Sequence, residues 1–288
     1  MSMSTDARLP HHPLRHHPSP ATVVVYLVAV ILIVVTVVPV LFVILGGFRT
    51  NAQINSAPAG LPNPWVWVDY AAIVTASKFW RFLLNSAVIA VMSTALTATL
   101  GSMTAFALSR YAFKGRDAFY GLFTVGLLFP IGAAALPLYL VLRGTGLLET
   151  PLGVALPGAA FSLPITIVIL RPFMRAIPGE IEDAAVVDGT TRLAFFARIL
   201  LPLSMPALMT VSILAFTTSW NNYLLPLLVF NESQHFTLPL GVATFQSQYS
   251  QDTARILAFT ALSMVPALGF FVLAERRIVG GLAGSVKG

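Results

Sequence analysis

The sequence contains no cysteine and few charged residues. Of its 288 residues, 17 are Lys or Arg and 11 are Asp or Glu, so charged residues make up 10% of the chain and hydrophobic residues 57%. The lack of cysteine excludes disulfides, thiolate metal sites and cysteine nucleophiles. The low charge excludes an ordinary soluble domain and indicates a protein surrounded by membrane lipid. The basic residues lie in short connections, so we predict no nucleic-acid partner.

Long apolar runs account for most of the chain. Six of them are long enough to cross a hydrocarbon core of about 30 Å as helices, and they cover residues 22–45, 82–108, 119–142, 152–170, 203–230 and 256–274. The first run is too long for the core of a cleavable signal peptide, so we expect it to remain as a span. The sequence therefore predicts an all-α integral membrane protein with six transmembrane helices.

The spans lack the residues that membrane enzymes and ion-coupled pumps require. No Asp, Glu, Lys, Arg or His lies near the middle of any predicted span, which argues against a proton relay and against a catalytic centre at membrane depth. No Gly-x-x-x-x-Gly-Lys-Ser/Thr motif is present to bind a nucleotide phosphate. We therefore predict no enzyme activity, no catalytic residue and no bound metal or cofactor. The energy source is expected on another polypeptide.

Basic residues are distributed unequally between the two membrane faces. Six spans place both termini on one side, together with the 109–118 loop and the polar segment 171–202. That side holds twelve basic residues and the other side five. They are Arg8, Arg15, Arg110, Lys114, Arg116, Arg171, Arg175, Arg192, Arg198, Arg276, Arg277 and Lys287, against Arg49, Lys78, Arg81, Arg143 and Arg255. The positive-inside rule therefore predicts that both termini are cytoplasmic.

These assignments divide the chain into four parts. Residues 1–21, with four histidines among prolines, are predicted to be a disordered cytoplasmic tail, with a metal site as the alternative. Residues 22–81 hold the first transmembrane helix and an extracytoplasmic connection, whose Trp residues suit an interfacial anchor or, alternatively, ligand stacking. Residues 82–276 form the transmembrane core. Residues 277–288 form a cytoplasmic C-terminal tail.

A polar segment at residues 177–206 interrupts the core. Pro178 suits the first turn of a helix, and three acidic residues follow near the positive end of the helix dipole, namely Glu180, Glu182 and Asp183. Two faces are predicted from the i, i+3, i+4 spacing. The first joins Ile181, Ala184 and Ala185, and the second joins Leu193, Phe196, Ile199 and Leu200. The alanines would keep the first face shallow enough for a partner to approach.

A glycine separates the two predicted helices. Gly189 follows Asp188 where a left-handed C-cap is needed. Thr190 or Thr191 can cap the second helix, which Pro202 ends. The segment is therefore predicted to form a helix, a glycine turn and a helix at the cytoplasmic surface. A surface hairpin without a partner is the alternative.

The same segment resembles the EAA loop of bacterial ABC importer permeases. The family pattern is Glu-Ala-Ala, then Asp-Gly, then a hydrophobic helix that ends in Leu-Pro. The matching residues are Asp183-Ala184-Ala185, Asp188-Gly189 and Leu201-Pro202. Asp183 replaces the usual Glu and Glu182 precedes it, so either carboxylate is a candidate for the role of that glutamate.

The resemblance implies the transmembrane fold of a type I ABC importer. In that family the loop docks on a cytoplasmic ATPase, so the implied coupling residues are Glu182, Asp183, Ala184, Ala185, Asp188, Gly189 and Pro202. Further implied partners are an ATPase dimer that binds ATP and Mg, a second homologous permease subunit and an extracytoplasmic sugar-binding protein. The implied location is the inner or cytoplasmic membrane of a bacterium.

Other stretches are similar to the maltose-permease-like branch of sugar importers. They are Phe48-Arg49-Thr50-Asn51, Asn85-Ser86, Trp220-Asn221-Asn222-Tyr223 and residues 279–288. Asn221, Asn222 and Tyr223 are candidates for the substrate path, because amide and phenol groups at membrane depth can bind sugar hydroxyls. Packing of the helix bundle through amide hydrogen bonds is the alternative. Two other functions stay open, an ABC permease for a non-sugar solute and a stand-alone channel or facilitator.

Overall fold

The computed structural model describes residues 20–245 and 252–285, and their regular structure is helical throughout. The α-helices in these residues are α1 (Pro20–Gly46), α2 (Asn51–Ser56), α3 (Val68–Thr75), α4 (Ser77–Arg110), α5 (Arg116–Gly126), α6 (Ala135–Gly144), α7 (Pro151–Ala176), α8 (Gly179–Val187), α9 (Arg192–Phe195), α10 (Leu201–Leu203), α11 (Met205–Trp220), α12 (Leu224–Val229), α13 (Leu238–Gly241) and α14 (Thr253–Ser285). The predicted all-α class is confirmed for this part of the chain. Residues 1–19 of the predicted N-terminal tail and residues 286–288 of the predicted C-terminal tail lie outside the described residues.

Four continuous helices and one bent pair overlap five of the predicted spans, and a second bent pair, residues 192–220, overlaps the predicted span 203–230 only in part. By length and composition, α1, α4, α7 and α14 can each cross a membrane alone. Helix α5 and the segment Ile131–Gly144 qualify only as a pair bent by 95°, and Arg192–Leu203 qualifies only with α11, at a bend of 81°. The described residues therefore contain four candidate spans, or up to six if each bent pair is one span.

Proline breaks the run at residues 119–142, which was predicted as one continuous helix. Helix α5 ends at Gly126. Pro130 has no N–H that could continue the helix by bonding the Gly126 carbonyl, and this carbonyl accepts a hydrogen bond from the Phe129 N–H at 3.2 Å instead. The prediction of a continuous helix is therefore wrong here, because a single missing donor outweighs the apolar composition of the run.

The run at residues 203–230 is also divided. Helix α11 ends at Trp220, and Asn222 Oδ1 accepts a hydrogen bond from the Leu225 N–H at 3.0 Å. This contact begins α12 as a separate helix. Pro226 cannot donate to the Asn222 carbonyl, so α11 and α12 cannot merge. The prediction of one continuous helix is wrong here as well.

Helices α4 and α7 pack closely through small residues at the centre of the described fold. Ala105 and Ala155 are completely buried. Gly101 faces Thr166 so closely that a Cβ at this position would lie 2.4 Å from Thr166 Cγ2. Helix α11 packs against both α4 and α7, and α14 packs against α11. Small side chains allow helix backbones to approach closely in a membrane, so this pair forms the frame on which the other elements lie.

Helix α1 stands apart from this frame. Its side chains at residues 23–39 are all exposed, and it meets the rest of the fold mainly through α14 near its C-terminal end. The connection that follows folds around Phe48, whose ring lies 4.4–5.3 Å from the rings of Trp65, Trp67 and Tyr70. The adjacent Arg49 is buried and donates to the carbonyls of Gln53, Ala57 and Pro58.

Candidate functional site

The polar segment folds as a helix, a glycine turn and a second helix, as predicted. Helix α8 (Gly179–Val187) begins directly after Pro178. After the turn, α9 begins at Arg192 and continues through a π-helical stretch, Phe196–Leu200, into α10. We call residues 179–203 the island. It lies beside the C-terminal ends of α4 and α7, against an apolar cluster that includes Phe106 and Met174.

The turn of the island depends on Gly189. Its φ of 76° lies in the left-handed region, which residues with a Cβ adopt only with strain. The Gly189 N–H donates to the Val186 carbonyl at 3.0 Å, and the Thr190 N–H donates to the Ala185 carbonyl at 2.9 Å. This pair of bonds is the Schellman arrangement of a helix C-terminus. The predicted left-handed C-cap is therefore confirmed.

Thr191, rather than Thr190, caps the second helix of the island. Its Oγ1 accepts a hydrogen bond from the Ala194 N–H at 3.4 Å. Phe195 is buried, whereas Leu193 is 68% exposed. The predicted common face is therefore wrong at Leu193, although its other members, Phe196, Ile199 and Leu200, pack against the same cluster. The π-helical stretch has a wider turn than an α-helix, so the spacing used for the prediction does not apply to it.

The two alanines of α8 face in different directions. Ala185 is 5% exposed and belongs to the buried cluster, whereas Ala184 is exposed. Consecutive residues of an α-helix point about 100° apart, so the predicted common face is wrong at Ala185. Ile181, Ala184 and Val187 form an exposed apolar strip instead, in which Val187 is 87% exposed. We call these three residues the apolar strip.

The two adjacent carboxylates of α8 have different surroundings. Glu182 Oε2 lies 3.7 Å from Arg110 Nη1, and the Arg110 side chain is only 8% exposed. Arg110 also donates to the carbonyls of Met174 at 3.0 Å and Ile177 at 2.8 Å. Asp183 is exposed, and its carboxylate has no hydrogen bond or ion pair within the described residues. Glu182 therefore belongs to the internal contacts of the fold, while Asp183 is free to meet another molecule.

Tyr111, the residue after Arg110, contacts the second helix of the island. The Arg192 guanidinium lies 5.0 Å from the centre of the Tyr111 ring, within the range of a cation–π contact. Burial raises the pKa of Tyr111 above its ordinary value, although the nearby Arg192 opposes the rise, so the phenol is neutral at physiological pH. The sequence analysis did not assign these contacts to Arg110 and Tyr111. The only sequence signal for them is a basic residue followed by an aromatic residue at the end of an apolar run.

The two remaining coupling candidates lie at the glycine turn and at the C-terminal end of the island. Asp188 is exposed directly before the glycine turn. Pro202 is exposed within α10, just before the 81° bend into α11. The structure thus brings the candidates from Glu182 to Gly189 together on one short helix and its turn, and it leaves Pro202 at the far end.

The three candidates for the substrate path do not meet in one pocket. They lie in the break between α11 and α12. Asn221 lines a cavity of about 330 Å³, whose mostly apolar walls come from α1, α13 and α14 and include Val40, Leu238 and Met264. Asn222 uses its Oδ1 to cap α12, and Tyr223 is 46% exposed and outside the cavity lining. Of the three, Asn221 is the one that lines this cavity.

Glu149, in the connection between α6 and α7, binds residues of the connection that follows α12. The sequence analysis did not identify this residue. Glu149 Oε2 lies 2.9 Å from His235 Nδ1, and Glu149 Oε1 accepts from the Asn231 N–H at 2.6 Å. Burial alone would raise the pKa of Glu149, but the hydrogen bonds from His235 and Asn231 outweigh it and lower the pKa. The carboxylate is therefore ionised at physiological pH and ties the connection after α12 to the start of α7.

Metal-binding side chains are not assembled in the part of the chain that the structure describes. No group of three or more His, Asp or Glu residues in these ranges is arranged to hold a metal ion. The histidines at positions 11, 12, 16 and 17 lie outside the described residues. A metal site in that cluster therefore stays an untested alternative.

The architecture is that of an ABC importer permease. A solved bacterial ABC transporter involved in the import of the acidic polysaccharide alginate matches with a TM-score of 0.77, over 93% of this chain and 99% of that chain. A bacterial alginate ABC transporter in complex with alginate pentasaccharide-bound periplasmic protein matches with a TM-score of 0.62. Sequence identity is 19% and 13%, so these likenesses establish the fold.

Sequence comparison identifies the family. Residues 97–277 match the family described as "Binding-protein-dependent transport system inner membrane component", so the chain belongs to this family of transport permeases. Similar proteins include a diacetylchitobiose uptake system permease of Streptomyces coelicolor, 33% identical over 87% of this chain and 83% of the relative. An arabinooligosaccharides transport system permease of Halalkalibacterium halodurans is 34% identical over 88% and 92%. A trehalose transport system permease of Mycobacterium tuberculosis is 32% identical over 87% and 92%.

Proposed function

We propose that this chain is a permease subunit of an ATP-driven carbohydrate importer in the inner membrane of a bacterium. Three relatives that are about one-third identical carry the names of permeases for diacetylchitobiose, arabinooligosaccharides and trehalose. All three solutes are small carbohydrates. The absence of ionisable residues from the middle of the predicted spans supports a permease that is driven by another subunit rather than by an ion gradient.

The island is proposed to be the segment through which ATP hydrolysis on another subunit is coupled to transport. The observation that carries this proposal is the exposed apolar strip on α8, a helix that the buried Ala185 anchors to the rest of the fold. A short helix with one exposed apolar face suits docking into a groove of another protein. We assign that groove to a cytoplasmic ATPase dimer, which would hold the ATP and Mg. The coupling residues would be the predicted set from Glu182 to Gly189, together with Pro202.

Asp183 is proposed as the carboxylate that takes the role of the family's glutamate. Glu182 is already neutralised by Arg110, whereas Asp183 is exposed and unpaired within the described residues. Asp183 also lies four residues before Val187, on the same side of α8 as part of the apolar strip. A carboxylate beside an apolar strip can form a charge-assisted hydrogen bond with a basic residue of the partner.

The proposed assembly also includes a second homologous permease subunit and an extracytoplasmic sugar-binding protein. Each bent helix pair would count as one span, which makes six spans and places both termini in the cytoplasm. Helix α1 is apolar on all sides and uncovered over residues 23–39, so it suits contact with lipid or with a second subunit. The solute would cross between the two permease subunits.

Asn221, Asn222 and Tyr223 are proposed to line the path on this subunit. Asn221 is the strongest of the three because it lies beside the 330 Å³ cavity. The Asn222 side-chain oxygen is committed to α12, which leaves its amide N–H groups for a solute. Tyr223 is exposed and offers a phenol group to a path that a second subunit would complete.

Reconstitution tests the proposed function. The chain is placed in liposomes with its ATPase, the second permease and the binding protein, and ATP hydrolysis and solute uptake are measured. The probes are carbohydrates, compared with polyamines, phosphonates and oligopeptides. We expect at least one carbohydrate to stimulate hydrolysis several-fold, and uptake to require every subunit.

Two outcomes would contradict the proposal. Passive solute flux through the purified chain alone would identify a channel or facilitator. Stimulation of hydrolysis only by a polyamine, phosphonate or oligopeptide would retain the ATP-driven permease and replace the carbohydrate by another solute class.

A further inference from the structure

Two consecutive residues join the end of α4 to both helices of the island. Arg110, the last residue of α4, pairs with Glu182 of α8 at 3.7 Å. Tyr111 lies under the Arg192 guanidinium of the second helix at 5.0 Å. The two contacts lie on either side of the Gly189 turn. We call Arg110, Tyr111, Glu182 and Arg192 the clamp.

The buried charge of Arg110 opposes movement of the island relative to α4. Arg110 is almost completely removed from water, and an uncompensated buried charge is strongly destabilising. Two carbonyls at the end of α7 accept its N–H groups, and Glu182 supplies the opposite charge. The island therefore cannot shift against α4 without separating this charge from its counterion. Such a shift is unfavourable, so the island and α4 are expected to move together.

Helix α4 is the long helix best suited to carry a displacement across the membrane. Among the four long helices of the described residues, α1, α7 and α14 contain internal prolines, whereas the 34 residues of α4 contain none. Internal proline removes a backbone hydrogen bond and is a usual cause of kinks. Helix α4 keeps all of its internal backbone hydrogen-bond donors, so it is expected to be stiffer than the proline-containing helices and to transmit a movement of one end to the other.

The opposite end of α4 is attached to the connection after α12. Asn85 Nδ2 donates to the carbonyls of Gln234 at 2.9 Å and Phe236 at 3.0 Å. Ser86 Oγ accepts from the Leu238 N–H at 2.8 Å. The backbone of residues 234–238 is therefore tied to the N-terminal third of α4, away from the end that contacts the island.

We infer that the clamp makes α4 and the island move as one body, so that a displacement of the island is delivered to residues 234–238 at the other end of α4. Arg110 and Tyr111 are positioning residues, since they act through the island. The inference rests on the proposed function, because it takes an ATPase to be what displaces the island. Without the clamp the island would still dock on the ATPase, but a displacement of the island would no longer displace α4.

The test uses the complete reconstituted transporter and measures solute uptake per ATP hydrolysed. Loss of a cation–π contact of about 0.5–1 kcal/mol corresponds to a factor of about two to five, so we expect Tyr111→Leu to lower this ratio by that factor. Combination with Glu182→Gln should lower it further. Tyr111→Phe keeps the ring and should retain the ratio. Glu180→Gln, an exposed carboxylate on the same helix, is the matched control.

A distance measurement separates the clamp from a merely structural role. The chain has no cysteine, so spin labels can be attached to cysteines introduced at Met103 of α4 and Glu180 of α8, which are both exposed. With the clamp intact, the distance between the labels should stay constant when the assembled transporter binds ATP. In the combined Tyr111→Leu and Glu182→Gln variant it should change or broaden on ATP binding.

The outcomes distinguish the inference from the proposed function. An unchanged uptake ratio in the combined variant, a constant label distance in that variant, or loss of ATPase binding as its sole defect would overturn the clamp. Absence of ATP-driven uptake by the unaltered transporter would overturn the proposed function instead.

Discussion

At the scale of single residues, the island is set by backbone conformation and by one buried charge. Gly189 adopts a φ of 76° that ends α8, and α9 begins three residues later at Arg192. Arg110 holds Glu182 and thereby leaves the neighbouring Asp183 as the exposed carboxylate. Two adjacent residues of the same charge thus have opposite environments, which explains why they are assigned different roles.

Replacement of Gly189 by valine should uncouple transport and leave membrane insertion intact. A Cβ at this position would meet no atom within 4 Å, so the cost is backbone strain, about 1–2 kcal/mol for a residue forced into the left-handed region and more for a β-branched one. The measurement is solute uptake by cells, normalised to the amount of the protein in the membrane.

Gly179→Ala is the matched control for this experiment. A Cβ there also meets nothing within 4 Å, and Gly179 has no positive φ, so uptake should be normal. Uptake by Gly189→Val at the level of the control would refute the coupling role of the turn.

At the scale of helices, the two sharp bends of the chain lie beside prolines, and the longest helix contains none. Helix α4 has no proline and runs unbroken for 34 residues, whereas the chain bends by 95° after α5 and by 81° before α11, next to Pro130 and Pro206. The unbroken helix α4 packs along α7 through small residues, and this close contact forms the centre of the fold.

Gly101→Ala should destabilise this packing. The added Cβ would lie 2.4 Å from Thr166 Cγ2, and Thr166 cannot rotate away easily because its Oγ1 donates to the Ser162 carbonyl at 2.8 Å. Overpacking of this kind costs about 1–3 kcal/mol, which should lower the Tm in detergent. Gly121→Ala, where a Cβ meets nothing within 4 Å, should leave the Tm unchanged or raise it. Equal Tm values for the two variants would argue against close α4–α7 contact.

At the scale of the whole molecule, the distribution of charge predicts the orientation, and uncovered apolar surface indicates where partners are proposed to pack. The twelve basic residues on the predicted cytoplasmic side include Arg110 and Arg192 of the clamp, so the predicted orientation and the proposed coupling involve some of the same side chains. The exposed α1 and the apolar strip of the island are surfaces on which other subunits are proposed to pack.

Single-cysteine labelling tests this orientation. In spheroplasts, a maleimide that cannot cross the membrane should react with a cysteine introduced at Ser56 and fail to react with one at Glu180 until the membrane is permeabilised. Both positions are exposed, and the cysteine-free chain gives no background labelling. The reverse pattern would place the island outside and would contradict the positive-inside assignment.

Local sequence features determined several properties by themselves. Hydropathy identified the apolar runs, because the free energy of transfer into lipid adds up along a segment regardless of its neighbours. The left-handed turn at Gly189 was predictable because the required φ concerns one residue type. The EAA-like pattern indicated the family because its residues are close together in the sequence.

Only the tertiary structure decided which side chains of these segments are buried. Ala185 rather than Ala184 faces the core, and Phe195 rather than Leu193 is buried. Glu182 rather than Asp183 forms an ion pair with Arg110. These choices depend on Arg110 and on the end of α7, whose carbonyls lie 64 and 67 residues away from Arg110 in sequence. Spacing along one helix gives the relative directions of its residues, but the helix that packs against it determines which direction is inside.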